Sequence, residues 1–324
     1  MKKLILAFAA LVALSVMPAM AQQKGAPSYI AVESNSGKIL FSSNAEKERP
    51  ISSLAQVATA LVALDWVERT KVELNRIITV PQEAYAITMG NPMNLRPGDR
   101  IPLRAALYSP RLGADNVSSL TIANFVGRDL SARRGGGSPI SLFVREMNNL
   151  AAAIGMKKTH FVAPHGLESP DSASTSCAVD LALLGMYATQ RPAFCFIVKQ
   201  PSRRIGVETL SSGTQLYDVT NTNALLAQPG VDGIKTAKSR ISGPCILLSA
   251  TRNAYVRQNP QTGKDMIYPQ RLVIVVLGTE DRYKLSKSLI THSWKSWERW
   301  INSGAPALDH KEFLQLPTAQ QPTK

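Results

Sequence analysis

The stretch RPISSLAQVATALVALDWVER, residues 49–69, has the form of a nucleophile turn that leads into an amphipathic helix. Its apolar residues fall three or four positions apart, which is the spacing of one helix face: Leu54, Val57, Leu61, Leu64 and Val67. Ser53 stands where a nucleophilic serine would enter such a helix, although a serine there is also an ordinary helix N-cap. One turn later, where a general base would stand, the residue is Gln56. The stretch therefore predicts a nucleophile position without its base.

The first residues of the chain have the pattern of a secretory signal peptide. MKK is a short basic start, residues 4–16 are apolar, and Ala19-Met20-Ala21 is a small-x-small cleavage site. We therefore expect residues 1–21 to be removed, which leaves 324 − 21 = 303 residues in an exported protein. No later stretch is apolar over enough residues to predict a transmembrane anchor in the mature chain. The expected location is the periplasm or the cell-wall space.

The charge of the chain is strongly positive. Lysine and arginine number 37 against 23 acidic residues, for a formal net charge of +14. Lys2 and Lys3 leave with the signal peptide, so the formal net charge of the mature chain is 14 − 2 = +12. An exported basic protein rarely meets nucleic acid, and the composition favours anionic cell-wall polymer or lipid surfaces as partners. The alternative is that scattered charges only keep the chain in solution.

Cysteine and histidine give no sign of a metal or a cofactor. The three cysteines, Cys177, Cys195 and Cys245, allow at most one disulfide and leave one thiol over. The four histidines show no ligand spacing, and His165 in PHGL has the setting of a structural turn residue. We therefore expect neither a metal nor a cofactor.

The order of the elements predicts an α+β fold in which a helical block is inserted between terminal strands. Helices are expected over residues 114–127, 141–154, 178–188 and 281–302, with a short helix that begins near Pro102 and ends before Pro110. The segments AFCFIVKQ, VDGIKTA, PCILLSATR and RLVIVVLGT are expected to be β-rich. Trp294, Trp297 and Trp300 fit a helix edge that docks on the sheet better than a ligand platform. Residues 22–304 form the predicted domain, and residues 305–324 are expected to be disordered.

Three short motifs follow one another in the order of a known enzyme family. They are SLAQ from Ser53, GADN from Gly113 and VDGIKTA from Val231. Together they resemble the S-x-x-K, S-x-N and K-T-G motifs of penicillin-recognising serine enzymes. The closer resemblance is to the S11 D-alanyl-D-alanine carboxypeptidases, the low-molecular-weight penicillin-binding proteins. Flanking segments such as AVESNSGKILFSS, MNLRPGDRIPLRAALY and AIGMKKTHFVAPHGL extend the resemblance over residues 28–304. It implies a transpeptidase-type fold with an antiparallel sheet flanked by helices.

The resemblance also implies a role for each motif position. The catalytic positions are Ser53 for the nucleophile, Gln56 for the general base, Ala114 for the proton-relay serine, and Asn116, which would hold the substrate amide. The substrate-binding positions are Lys235, Thr236 and Ala237 on an edge strand, where the family has K-T-G. Asn116 could instead cap the following helix, and Lys235-Thr236 could be an ordinary strand pair.

This sequence departs from the family at all three motifs, which leaves three hypotheses open. Lys is replaced by Gln56, the relay Ser by Ala114 and the Gly of K-T-G by Ala237. The first hypothesis is a non-catalytic relative that binds D-Ala-D-Ala stem peptides of peptidoglycan, or a cell-wall protein, through the old cleft. The second is a working D-alanyl-D-alanine carboxypeptidase with Lys235 as a surrogate base. The third is a structural exported protein whose cleft is unused.

Overall fold

A computed structural model describes residues 26–258, 261–305 and 309–317, so the predicted signal peptide at residues 1–21 lies outside the described residues. The helices in these ranges are α1 (Gln56–Thr70), α2 (Leu103–Gly113), α3 (Asn116–Arg134), α4 (Pro139–Ala153), α5 (Ala178–Thr189), α6 (Pro192–Val198) and α7 (Arg282–Asn302). The strands are β1 (Ser28–Glu33), β2 (Ile39–Ser43), β3 (Arg49–Pro50), β4 (Ile77–Thr79), β5 (Arg100–Pro102), β6 (Thr175–Ser176), β7 (Ser202–Thr209), β8 (Gly213–Thr220), β9 (Val231–Ser239), β10 (Gly243–Gln258) and β11 (Asp265–Leu277).

The main sheet is antiparallel, with the strand order β2-β1-β11-β10-β9. Successive residues of a strand point to opposite faces of the sheet, so each strand contributes side chains to two hydrophobic cores. Ala31, Ile246 and Ile274 pack in the core beneath α7, whereas their neighbours Val32 and Leu247 pack in the core that contains α1 and α5. The sheet therefore lies between α7 on one face and α1 with α5 on the other. This confirms the predicted α+β class.

The inserted part of the chain combines helices with a second, smaller sheet. Helices α2, α3 and α4 each contact α1, and α3 also packs against both α2 and α4. Beside them, four strands form a separate antiparallel sheet in the order β4-β5-β7-β8. The sequence predicted the helical block, and the small sheet is an addition to that prediction.

Two local predictions were wrong. The segment AFCFIVKQ was expected to be β-rich, but α6 covers most of it. Pro192 is the first residue of this helix, a position whose backbone N–H has no partner within the helix, so the N–H that proline lacks is not missed. Helix α2 was expected to end before Pro110, but it continues to Gly113 with Pro110 inside its last turn. The proline removes one donor there, and the flanking buried residues Leu107 and Leu112 still pack on the core.

Helix α7 docks its aromatic edge as expected. Trp297 is buried and its indole Nε1 donates to Gln270 Oε1 at 2.9 Å. Trp300 packs against Trp297 on one side and against Phe313 on the other, with ring centroids 5.0 Å and 6.1 Å away.

The segment after α7 differs from the expectation of disorder at residues 309–317. Phe313 pairs with Lys38, and the Leu314 backbone N–H donates to Gly37 O at 2.7 Å. Leu314 and Leu316 pack against the core. Phe313, Leu314 and Leu316 give this segment apolar surface that is stabilised by burial. The polar residues around them in the sequence hid that pattern.

No single helix of the described residues has the length and hydropathy of a membrane span. Helices α5 and α6 meet those criteria only together, and they join at a bend of 106°. Cys177, Cys195 and Cys245 are all free thiols, so the disulfide that the sequence allowed does not form.

Candidate functional site

Ser53 lies in a short 3-10 helix, Ser52–Ala55, that leads directly into α1. The turn is fixed from outside: the Ser52 N–H donates to Glu168 Oε1 at 2.7 Å, and Gly166 approaches so closely that a Cβ there would lie 2.2 Å from Ser52 O. Ser53 itself is half-buried, and its hydroxyl makes no hydrogen bond to any other described residue. The side chain does not cap α1, whose N-cap is Ala55, and it is not hydrogen-bonded to a base among the described residues.

Gln56, which stands where the family resemblance places a general base, is fully buried. Its Nε2 donates to Asn116 Oδ1 at 3.0 Å and more weakly to Asp115 O at 3.4 Å. Its Oε1 is buried and has no hydrogen-bond partner within the described part of the chain. An amide is neutral and does not take up a proton near neutral pH. The side chain can therefore donate and accept hydrogen bonds here but cannot activate a hydroxyl.

The second motif forms the turn between α2 and α3. Ala114 adopts the left-handed conformation, with φ 54° and ψ 44°, and Asp115 caps α3 by accepting from the Ser118 N–H at 2.9 Å. The buried carboxylate of Asp115 also accepts from the hydroxyls of Ser118 and Ser109 at 2.6 Å and 2.7 Å, which ties α2 to α3. Burial raises the pKa of this carboxyl, and the hydrogen bonds oppose that rise. The cap is thus Asp115, and the alternative that Asn116 caps the helix is wrong.

Both ends of the Asn116 amide are engaged. Its Oδ1 accepts from Gln56, and its Nδ2 donates to Met89 O at 2.9 Å. The Asn116 backbone N–H donates to Gly90 O at 2.6 Å. Gly90 has φ +70°, and a Cβ there would lie 2.4 Å from Asn116 Nδ2, so glycine alone permits this approach. In this arrangement Asn116 holds the Met89-Gly90 loop rather than pointing an unused amide into a cleft.

The third motif lies on β9, the edge strand of the main sheet. Lys235, Thr236 and Ala237 are 1%, 4% and 4% exposed. Lys235 Nζ donates to Thr236 O at 2.5 Å, and the Thr236 hydroxyl lies 2.7 Å from that of Thr222. The motif therefore lies on an edge strand as predicted, but its three side chains are buried and the two polar ones are hydrogen-bonded within the protein.

Arg282, for which no role was predicted from the sequence, lies beside the third motif. Its Nη1 donates to Ala237 O at 2.6 Å and reaches Cys245 O at 3.5 Å, which places the guanidinium beside the third motif. Tyr283, the next residue, donates its hydroxyl proton to Thr222 O at 2.9 Å. The only sequence signal was a basic residue directly after the predicted start of the last helix.

Contacts between the motifs bring them to one place. The bond from Gln56 to Asn116 joins the first motif to the second. Glu168 joins the first to the third, because its two carboxylate oxygens accept from the Ser52 N–H and from the Ser239 hydroxyl at the end of β9. Glu168 comes from the loop that follows PHGL, and no pattern in the sequence pointed to it. No group of His, Cys, Asp and Glu side chains among the described residues is arranged to hold a metal ion.

His165 acts as the turn residue that the sequence predicted. Its Nδ1 accepts from the Leu167 N–H at 3.0 Å, and burial lowers its pKa to about 4. The ring is therefore neutral at physiological pH and carries its proton on Nε2.

The chain is similar in sequence to curated D-alanyl-D-alanine carboxypeptidases. D-alanyl-D-alanine carboxypeptidase DacA of Escherichia coli is 29% identical over 307 residues, which cover 91% of this chain and 66% of the relative. DacC of Escherichia coli is 28% identical over 294 residues, which cover 84% of this chain and 62% of the relative. The chain thus spans just under two thirds of the length of these relatives.

The fold matches two solved structures. The Streptomyces K15 DD-transpeptidase superposes with a TM-score of 0.68 at 21% identity, over 83% of this chain and 96% of the other. Penicillin-binding protein D2 of Listeria monocytogenes, in a cefotaxime-bound form, gives 0.62 at 22% identity, over 82% and 96%. These similarities confirm the predicted transpeptidase-type fold. The family model described as D-alanyl-D-alanine carboxypeptidase matches residues 15–258, which is most of the chain, and the protein therefore belongs to the S11 peptidase family.

Proposed function

We propose that the protein is an exported relative of the D-alanyl-D-alanine carboxypeptidases that binds peptidoglycan stem peptides ending in D-Ala-D-Ala and has lost most or all of its acyl-transfer chemistry. The observation that carries this proposal is the buried amide of Gln56, which occupies the position of the base and bonds to Asn116 instead of to Ser53. A hydroxyl without a base is a poor nucleophile. Loss of a general base alone removes about 10² to 10⁴ in rate.

The polar groups near β9 support a retained binding role. Lys235 and Thr236 keep the family's residues on an edge strand, and the Arg282 guanidinium lies beside them. Cations and a hydroxyl are suited to the terminal carboxylate of a peptide. Asn116 and Thr236 are bonded within the protein, so a peptide would have to replace those bonds on entry.

The first experiment measures turnover. The mature chain is incubated with a peptide ending in D-Ala-D-Ala, and free D-alanine is quantified beside a Ser53→Ala variant. The proposal expects release from the parent that does not exceed release from Ser53→Ala. Release that depends on Ser53 and is lost in Lys235→Ala would establish the competing function, a working carboxypeptidase in which Lys235 is the base.

The second experiment measures binding by calorimetry with the same peptide and with its L-Ala-L-Ala counterpart. The proposal expects saturable binding of the D-Ala peptide, weakened in Thr236→Val, which keeps the shape of the side chain but removes its hydroxyl. Absence of any binding would instead support a structural protein with an unused cleft.

Export is tested separately. N-terminal sequencing of the protein recovered from the periplasm or the cell-wall space should begin at Gln22. A chain that keeps residues 1–21 and stays in the cytoplasm contradicts this part of the proposal.

A further inference from the structure

The hairpin of β10 and β11 extends beyond the main sheet. β10 pairs with β9 only as far as Ala250, and β11 pairs with β1 only as far as Leu272. Farther along, the two strands continue to pair with each other. We call residues 253–258 and 265–268 the arm. Six strand residues at about 3.3 Å each reach roughly 20 Å.

The arm exposes apolar side chains. Val256 and Ile267 lie directly opposite each other on one face and are 53% and 67% exposed. Met266 is 38% exposed on the other face, beside Tyr255 and Tyr268, whose ring centroids are 6.2 Å apart. Apolar residues exposed singly are common on protein surfaces, but an exposed pair with a third apolar residue on the opposite face of a projecting ribbon is not, and this favours contact of the arm with a partner.

Positive charge surrounds this apolar group. Arg257 and Lys264 are exposed on or next to the arm, and Asp265 is the arm's one carboxylate. At its base, Glu298 of α7 is already paired with Arg252 at 2.5 Å. Lys295, one helical turn before Glu298, is exposed on the same side of α7. The region therefore has a net positive charge and suits an anionic partner.

The backbone of the arm is poorly suited to pairing with a further strand. Pro269, which directly follows the arm on β11, has no N–H to donate, and its carbonyl already accepts from Asn35 Nδ2 at 2.9 Å. The pairing of β10 with β11 is irregular between Arg252 and Tyr255. Irregular strands and proline at a sheet edge oppose strand addition. Recognition would therefore use the side chains.

We propose that the arm docks the protein on an anionic lipid bilayer. Val256, Ile267 and Met266 enter the boundary between headgroups and acyl chains, while the two tyrosines lie at the interface, which tyrosine favours. Arg257, Lys264 and, at the base, Lys295 contact the anionic headgroups. An anionic bilayer offers an apolar layer for the side chains on both faces of the arm, directly beside headgroups for the flanking cations.

Vesicle co-sedimentation of the mature chain tests this proposal. The vesicles are phosphatidylcholine alone and phosphatidylcholine mixed with phosphatidylglycerol. We expect binding to the mixed vesicles that weakens as salt is added, with little binding to phosphatidylcholine alone. Equal binding to both lipids, or binding to neither, contradicts the proposal.

Matched variants distinguish binding through the arm from non-specific binding through other exposed apolar or basic residues. Val256→Asn with Ile267→Asn should weaken binding by about tenfold or more, whereas Leu210→Asn with Leu216→Asn, which are 76% and 66% exposed on the β7–β8 hairpin, should not. Arg257→Gln with Lys264→Gln should cost on the order of 30-fold, and the exposed pair Lys47→Gln with Lys157→Gln should cost much less. Equal losses in the arm and control variants overturn the proposal.

Two further measurements make these outcomes decisive. Thermal unfolding of each variant should match that of the parent, because the arm lies outside both cores. Analytical ultracentrifugation should show no self-association that depends on the arm. A dimer lost in Val256→Asn with Ile267→Asn would assign the arm to a second copy of the chain and overturn the lipid proposal.

Discussion

At the residue scale, the chemistry of the site depends on Gln56, which can donate a hydrogen bond to Asn116 but cannot accept a proton from Ser53. Its amide donates to Asn116 Oδ1, so Asn116 presents its Nδ2 to Met89 O and holds that loop. One neutral side chain thus keeps the second motif in place while supplying no base. The buried, unbonded Oε1 carries the energetic cost of this arrangement, because a buried polar atom without a partner is unfavourable by about 1–3 kcal/mol.

A Gln56→Glu variant isolates the donor role of this side chain. The carboxylate has nearly the same shape but cannot donate to Asn116, and its charge would be fully buried. We expect a loss of about 2–4 kcal/mol in the free energy of unfolding near pH 8. The loss should shrink toward pH 5, because burial raises the carboxyl pKa and the protonated form can donate again.

Urea unfolding at both pH values measures this effect. Gln228→Glu, at an exposed position, is the matched control and should change little. A loss for Gln56→Glu that is equal at both pH values would show that the donor bond to Asn116 is unimportant.

His165 provides a pH dependence whose sign is fixed. Burial lowers its pKa to about 4 in the folded protein, against about 6.5 in the unfolded chain. The unfolded chain therefore binds the extra proton first, and the folded state loses stability as the pH falls from about 6.5 to about 4, by roughly 2–3 kcal/mol. Protonation also places a hydrogen on Nδ1, which breaks the bond from the Leu167 N–H.

The His165→Asn variant checks this contribution. An asparagine Oδ1 can still accept from Leu167, but it does not titrate. Stability curves from urea unfolding should therefore be flatter for the variant between about pH 6.5 and about pH 4. Parallel curves for parent and variant would mean that His165 is protonated equally in both states.

At the element scale, long periodic helices could be predicted from the sequence and short ones could not. Helix α1 follows its apolar spacing over 15 residues. Helix α6 has only seven residues, all of them apolar or sulfur-containing, and periodicity does not distinguish such a run from a strand. Helix α2 continues through Pro110 because buried neighbours outweigh the lost donor. The type and the ends of the short elements therefore depend on tertiary packing rather than on sequence periodicity.

The start of α7 offers a test of local capping. Asp281 accepts from the N–H groups of Tyr283 and Lys284 at 3.0 Å and 2.9 Å. We expect Asp281→Ala to lower the free energy of unfolding by about 1 kcal/mol, and Asp281→Asn, which can still cap, to lower it by less. Urea unfolding compares both with Asp171→Ala at an exposed loop position. Equal effects of Ala and Asn at position 281 would contradict a capping role.

At the scale of the whole molecule, the motif positions could be read from the sequence, but their partners could not. Asn116 bonds Met89, 27 residues earlier, and Ser52 bonds Glu168, 116 residues later. No local pattern encodes contacts at such separations. The same holds for residues 309–317, whose contacts with the turn at Gly37 only the folded chain supplies.

We propose above all that this S11 scaffold keeps its architecture while its serine has lost the base. Labelling with fluorescent penicillin tests that claim most directly, in the parent and in a variant that combines Gln56→Lys, Ala114→Ser and Ala237→Gly. We predict no label on Ser53 in the parent and a label in the combined variant that Ser53→Ala abolishes. Labelling of Ser53 in the parent at a rate equal to that of the restored variant would contradict it.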